Sequence, residues 1–127
     1  MGLDMFAYAV TDDEVESSGE KGINIKLKRD DTEEFFYWRK HPNLHGWMEN
    51  LYRERGGEKQ FNSVAIELYP EDIANLKEDI ENNNLPYTCG FFFGESGSDY
   101  KDGDIEFIEK AEKAIDSGSR IIYSSRW

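Results

Sequence analysis

The sequence predicts one α+β domain over residues 1–127: a mainly antiparallel sheet of four to five strands with about three helices packed on one face. Three observations predict it. Segments with apolar residues at every second position alternate with segments carrying them at helical spacing. The strand-like segments outnumber the helices that could serve as parallel crossovers. A length of 127 residues, without internal repeat or heptad pattern, fits a single domain, and 8 Phe, 7 Tyr and 3 Trp can fill its core.

In chain order, residues 3–10 read as a strand, apolar on both faces apart from Asp4. An acidic loop containing Ser and Gly follows over residues 11–22. Ile23, Ile25 and Leu27 alternate with Asn24, Lys26 and Lys28, the period of a half-buried strand. Asp30-Asp31 then turns into a second strand over 33–39, so the two are expected to form a hairpin. A first helix starts near His41-Pro42-Asn43, with Asn43 as a possible cap. Leu44, Trp47, Met48 and Leu51 share one face of it, and Gly56-Gly57 ends it. Residues 63–69 form the next strand. Pro70 opens a second helix, Glu71 and Asp72 suit the positive end of its dipole, and Ile73, Leu76 and Ile80 are its buried stripe. Asn82-Asn83-Asn84 stops it. A third helix carries Ile105, Ile108, Ala111, Ala114 and Ile115 and closes at Gly118. Residues 120–125 make the last strand.

The charge balance narrows the partners. Lys and Arg number 15 against 27 Asp and Glu, a formal net charge of -12. Proteins that grip nucleic-acid backbones cluster cations, so direct nucleic-acid binding is not expected, nor is adsorption to an anionic membrane. The acidity suits a basic partner. Cys89 is the only cysteine, which excludes an internal disulfide framework. No signal peptide and no apolar run of membrane-spanning length is read, so a cytoplasmic location is expected.

Two blocks could carry function. Tyr37-Trp38-Arg39-Lys40-His41, with His45 and Trp47, is the densest cationic group in the chain. Strand alternation places Tyr37 and Arg39 on one face and Trp38 on the other. The block reads either as a strand end with solvated charges or as an anionic-ligand site built from Tyr37, Arg39, Lys40, His45 and Trp47. In the second reading Arg39 and Lys40 hold the anion and His45 acts as acid or base. The other block is Gly90-Phe91-Phe92-Phe93-Gly94. Three successive Phe cannot share one side of an extended segment, so Phe91, Phe92 and Phe93 either pin a loop from inside or offer an interface.

Metal and catalytic readings are weaker. Aligning Gly103 with the turn glycine of a calcium loop puts Ser98 and Tyr100 where Asp or Asn belong. Asp102 and Asp104 fit better near a helix N-terminus. His41, His45 and Cys89 do not match zinc spacing. No catalytic residue, metal or cofactor is assigned. The carboxylate runs, including 71–81, read as a solvated surface or as a surface for a basic partner.

The Met1-Gly2-Leu3-Asp4-Met5 start, Tyr37-Trp38-Arg39-Lys40 with His45 and Trp47, Leu85-Pro86, Gly90-Phe91-Phe92-Phe93-Gly94 and the ending Tyr123-Ser124-Ser125-Arg126-Trp127 resemble a family of small uncharacterised proteins of bacteriophages and bacteria. The chain departs from that pattern at Pro42-Asn43-Leu44, where the family has small apolar residues. The resemblance implies a viral or mobile-element origin and carries no activity over. The resulting expectation is a non-enzymatic accessory protein, in the host cytoplasm if phage-encoded, that binds a host or phage protein. The alternative is a small-molecule-binding domain or small enzyme using Tyr37, Arg39, Lys40 and His45.

Overall fold

The computed structural model of the chain describes residues 3–17, 22–28, 32–86 and 100–127. Strand alternation in the two longest strands sets the architecture. In β1 (Asp4–Val10), Met5 and Ala7 are fully buried while Phe6 and Tyr8 are only partly so. In β6 (Arg120–Arg126), Ile121 and Tyr123 point into the same core as Met5. The two strands pair antiparallel along their whole length, from Asp4 opposite Arg126 to Val10 opposite Arg120.

β4 (Phe36–Arg39) adds to the outer edge of β1, and β5 (Ile66–Leu68) to the outer edge of β6. The sheet order is therefore β4-β1-β6-β5, antiparallel throughout. Helices α1 (Pro42–Glu54), α2 (Pro70–Glu81) and α3 (Tyr100–Asp116) supply the apolar stripes that cover one face. Met48 and Tyr52 of α1, Ile73 and Leu76 of α2, and Phe107 and Ala111 of α3 join Met5, Trp38, Ile66 and Tyr123 in one core. Each such large side chain, fully buried, contributes about 1.5–3 kcal/mol. The expected α+β domain, an antiparallel sheet backed by helices, is the architecture observed.

Helix ends follow local chemistry. Pro42 and Pro70 occupy first-turn positions, where the missing N–H costs nothing. Asn83, past the end of α2, takes a left-handed φ of 57°. Gly57, just beyond α1, lies so close to the buried Tyr52 ring that an added Cβ would sit 2.3 Å from it, so only glycine fits.

Three expectations are corrected. The hairpin over 23–39 does not form. Its first half shrinks to β3 (Lys26–Leu27), which pairs with β2 (Val15–Ser17) in the stretch expected to be loop. Its second half, β4, pairs with β1 instead. The faces explain this. Ile25 and Val15 bury with Val10 and Ile122 on the side of the sheet away from the helices, whereas Trp38 is needed against Phe107 on the helix side. Third, α3 begins at Tyr100, more than a turn before the first apolar residue of its stripe. Its opening turn is polar, so hydrophobic periodicity gives no sign of it.

Candidate functional site

The cationic block is spread over three environments. Tyr37 stands 45% exposed on the helix-free face, its hydroxyl donating to Asp4 Oδ1 at 2.6 Å. Arg39 follows on the same face, and Lys40 ends the strand in a left-handed conformation with φ 55°. His45 goes the other way. It is fully buried in the core, its ring 5.0 Å from that of Phe61, with Nδ1 2.8 Å from the Tyr123 hydroxyl. Burial lowers its pKa to about 4, so it is neutral at physiological pH. Burial likewise raises the pKa of Tyr123, partly offset by the Ser125 hydroxyl. Trp47 turns toward α2 and donates from Nε1 to Asp79 Oδ2 at 2.8 Å. Tyr37, Arg39 and Lys40 thus stand at the end of β4, His45 in the core and Trp47 against α2.

A second group, not foreseen as a unit, joins β4, α1 and α3. Asp104, 2% exposed, accepts from Trp38 Nε1 at 3.1 Å and from His41 Nε2 at 2.8 Å. His41, also buried, holds the N-cap position of α1. A buried carboxylate is tolerable only when donors satisfy it, and here an indole and an imidazole do so. This triad docks the start of α1 and the end of β4 onto α3. Asp102 lies in the first turn of α3, as expected, but Asp104 is a core hub and not a dipole partner.

A concavity lies between α1 and α2. Trp47, Asn50, Leu51 and Glu54 follow the i, i+3, i+4, i+7 spacing and form one wall. Asp72, Asn75, Glu78 and Asp79 form the facing wall, and Asn84 and Pro86 form a rim. The cleft encloses about 570 Å3. Two contacts fix its width: Trp47 to Asp79, and an ion pair between Arg55 and Asp72. Asp72 also accepts from the Tyr69 backbone N–H at 2.8 Å, closing the first turn of α2. One of its four carboxylates is therefore matched by a guanidinium. Glu54, Glu78 and Asp79 leave the cleft acidic, with an aromatic side chain and three amides among its lining. Such a surface can hold a cationic side chain by charge, by hydrogen bonds and by the indole face.

Sequence reasoning treated the carboxylates of 71–81 as a run. The missing signal was a pairing of two helical faces, 47/50/51/54 and 72/75/79, each legible by spacing but linked only by the fold. The segment 89–94, with Phe91, Phe92 and Phe93, lies outside the described residues. Among the described residues, no group of three His, Cys, Asp or Glu is placed to hold a metal ion, and no helix is long and apolar enough to cross a membrane. No family model, curated protein or solved structure matches the chain.

Proposed function

We propose that the protein is a non-enzymatic binding protein that docks a basic segment of a host or phage protein in the cleft between α1 and α2. The observation that carries this reading is the 570 Å3 cleft whose walls bring Glu54, Glu78 and Asp79 around Trp47. A Lys or Arg side chain entering it meets carboxylates at two helix faces, and the -12 net charge steers such a partner in. The sequence block Phe91, Phe92 and Phe93 is proposed as further apolar contact for the same partner. The alternative site of Tyr37, Arg39, Lys40 and His45 draws less support. Its acid–base group is in the core, and Arg39 lies on the opposite face of the sheet from that group.

Fluorescence anisotropy with labelled Lys/Arg-rich and Asp/Glu-rich peptides tests this. The basic peptides are expected to bind, and to weaken by about tenfold in the Glu54→Lys/Glu78→Lys variant, both being surface changes. A smaller loss is expected for Phe92→Ala/Phe93→Ala. Equal binding of acidic and basic peptides, or basic binding indifferent to the Glu54→Lys/Glu78→Lys reversal, would overturn the reading.

A further inference from the structure

The helix-free face of the sheet has the opposite character. Phe6, Tyr8 and Tyr37 form an aromatic stripe across β1 and β4, with Phe6 5.4 Å from Tyr37 and 6.5 Å from Tyr8, centroid to centroid. The Arg126 guanidinium lies over Phe6 at 5.7 Å. The small β2-β3 sheet folds over one end of this face, burying Ile25 and Val15 against Ile122 and Val10. Between the overhang and the stripe runs a groove of about 370 Å3. Tyr8 and Ile122, opposite each other in the β1–β6 register, provide its apolar and aromatic surface. Lys26 and Lys28 line it from β3 and just beyond, Ser124 from β6, and Glu16 from β2.

We propose that this groove binds an aromatic phosphate of nucleotide size, a nucleoside monophosphate. Its volume falls in the roughly 300–1,000 Å3 range of small-ligand pockets, which combine an apolar lining with a few placed polar groups. The base stacks on Tyr8 and continues the aromatic stripe, since any base offers a π-face. The phosphate goes to the ammonium groups of Lys26 and Lys28. Glu16 accepts from ribose hydroxyls and Ser124 donates or accepts at the base edge, roles these groups can fill without ionisation changes.

The size of the ligand follows from charge. A net charge of -12 repels a polyanion along its whole length. A monophosphate brings about two charges and meets Lys26 and Lys28 against the one lining carboxylate, Glu16, while carboxylates beyond a Debye length of roughly 8–10 Å are screened. The groove is therefore suited to a free nucleotide and not to a nucleic-acid strand. It lies on the other side of the sheet from the α1–α2 cleft, so this inference and the proposed docking of a basic segment stand or fall separately.

Titration calorimetry of the full chain with AMP, adenosine, inorganic phosphate and an oligothymidylate of about eight nucleotides tests it. Saturable one-to-one AMP binding is expected, with adenosine and phosphate each weaker by about tenfold or more. Lys26→Glu/Lys28→Glu changes two exposed side chains and so preserves the fold. It is expected to weaken AMP by at least about tenfold and to leave adenosine unchanged. Tyr8→Leu, which keeps apolar bulk, is expected to weaken AMP and adenosine alike. No heat of binding with about 5 mM AMP, AMP binding unaffected by Lys26→Glu/Lys28→Glu, or an oligonucleotide binding about tenfold tighter than AMP would each overturn the proposal.

Discussion

The two faces of one sheet make instructive opposites. On the helix side, buried polar groups bond across elements: Asp104 to Trp38 and His41, and His45 Nδ1 to Tyr123. These groups sit at 0–4% exposure, so losing a partner strands a polar atom away from water. On the helix-free side, the contacts are of the same kinds but water is available. Tyr37 bonds Asp4, Arg126 covers Phe6, and Arg120 pairs with the exposed Asp12. Identical chemistry thus acts as scaffold on one side and as adaptable surface on the other, and burial is the variable that separates them.

Stability measurements on single variants sharpen or break that contrast. The largest effect belongs to Asp104. Asp104→Ala leaves the Trp38 indole N–H and His41 without their shared acceptor and is expected to cost about 3 kcal/mol in urea unfolding. Asp104→Asn, which keeps a carbonyl acceptor, should lose clearly less. A cost for Asp104→Ala no greater than that of a surface substitution would end the distinction between the faces.

A pH effect at His45 comes next. Its folded pKa of about 4 lies below the ordinary value of 6.5, so the unfolded chain takes up the proton first as pH falls. Its contribution is fully present above pH 6.5 and is lost as pH drops from there toward 4. Between pH 7 and pH 5 the loss amounts to about 2 kcal/mol. His45→Gln, less stable at neutral pH, should show a flatter decline over that window, and parallel wild-type and variant curves would refute the assignment. The smallest effect is expected at Tyr37→Phe. It removes the exposed hydrogen bond to Asp4 and should change stability by less than about 0.5 kcal/mol.

The same contrast explains what could be read from the chain alone. Local rules work where one residue type meets one local need. Pro70 opening α2, the Ile73/Leu76/Ile80 stripe, and Tyr37 and Trp38 falling on opposite faces of β4 all follow from spacing and backbone chemistry. They fail where two equally good local partners compete. The strand around Ile25 and the strand ending at Arg39 look like a hairpin, yet each pairs elsewhere because their apolar residues belong to different faces.

The sequence by itself determined the class of fold, the helix-forming and strand-forming segments and the acidity that shapes the choice of partner, because composition and periodicity are properties of neighbours in the chain. Tertiary structure alone decided which strands pair, that His45 would be a core residue, that Asp104 would serve residues more than 60 positions away, and that two helix faces would enclose a cleft. The physical reason is that burial is conferred by distant segments. A carboxylate or an imidazole carries no local mark of whether water or another side chain will satisfy it.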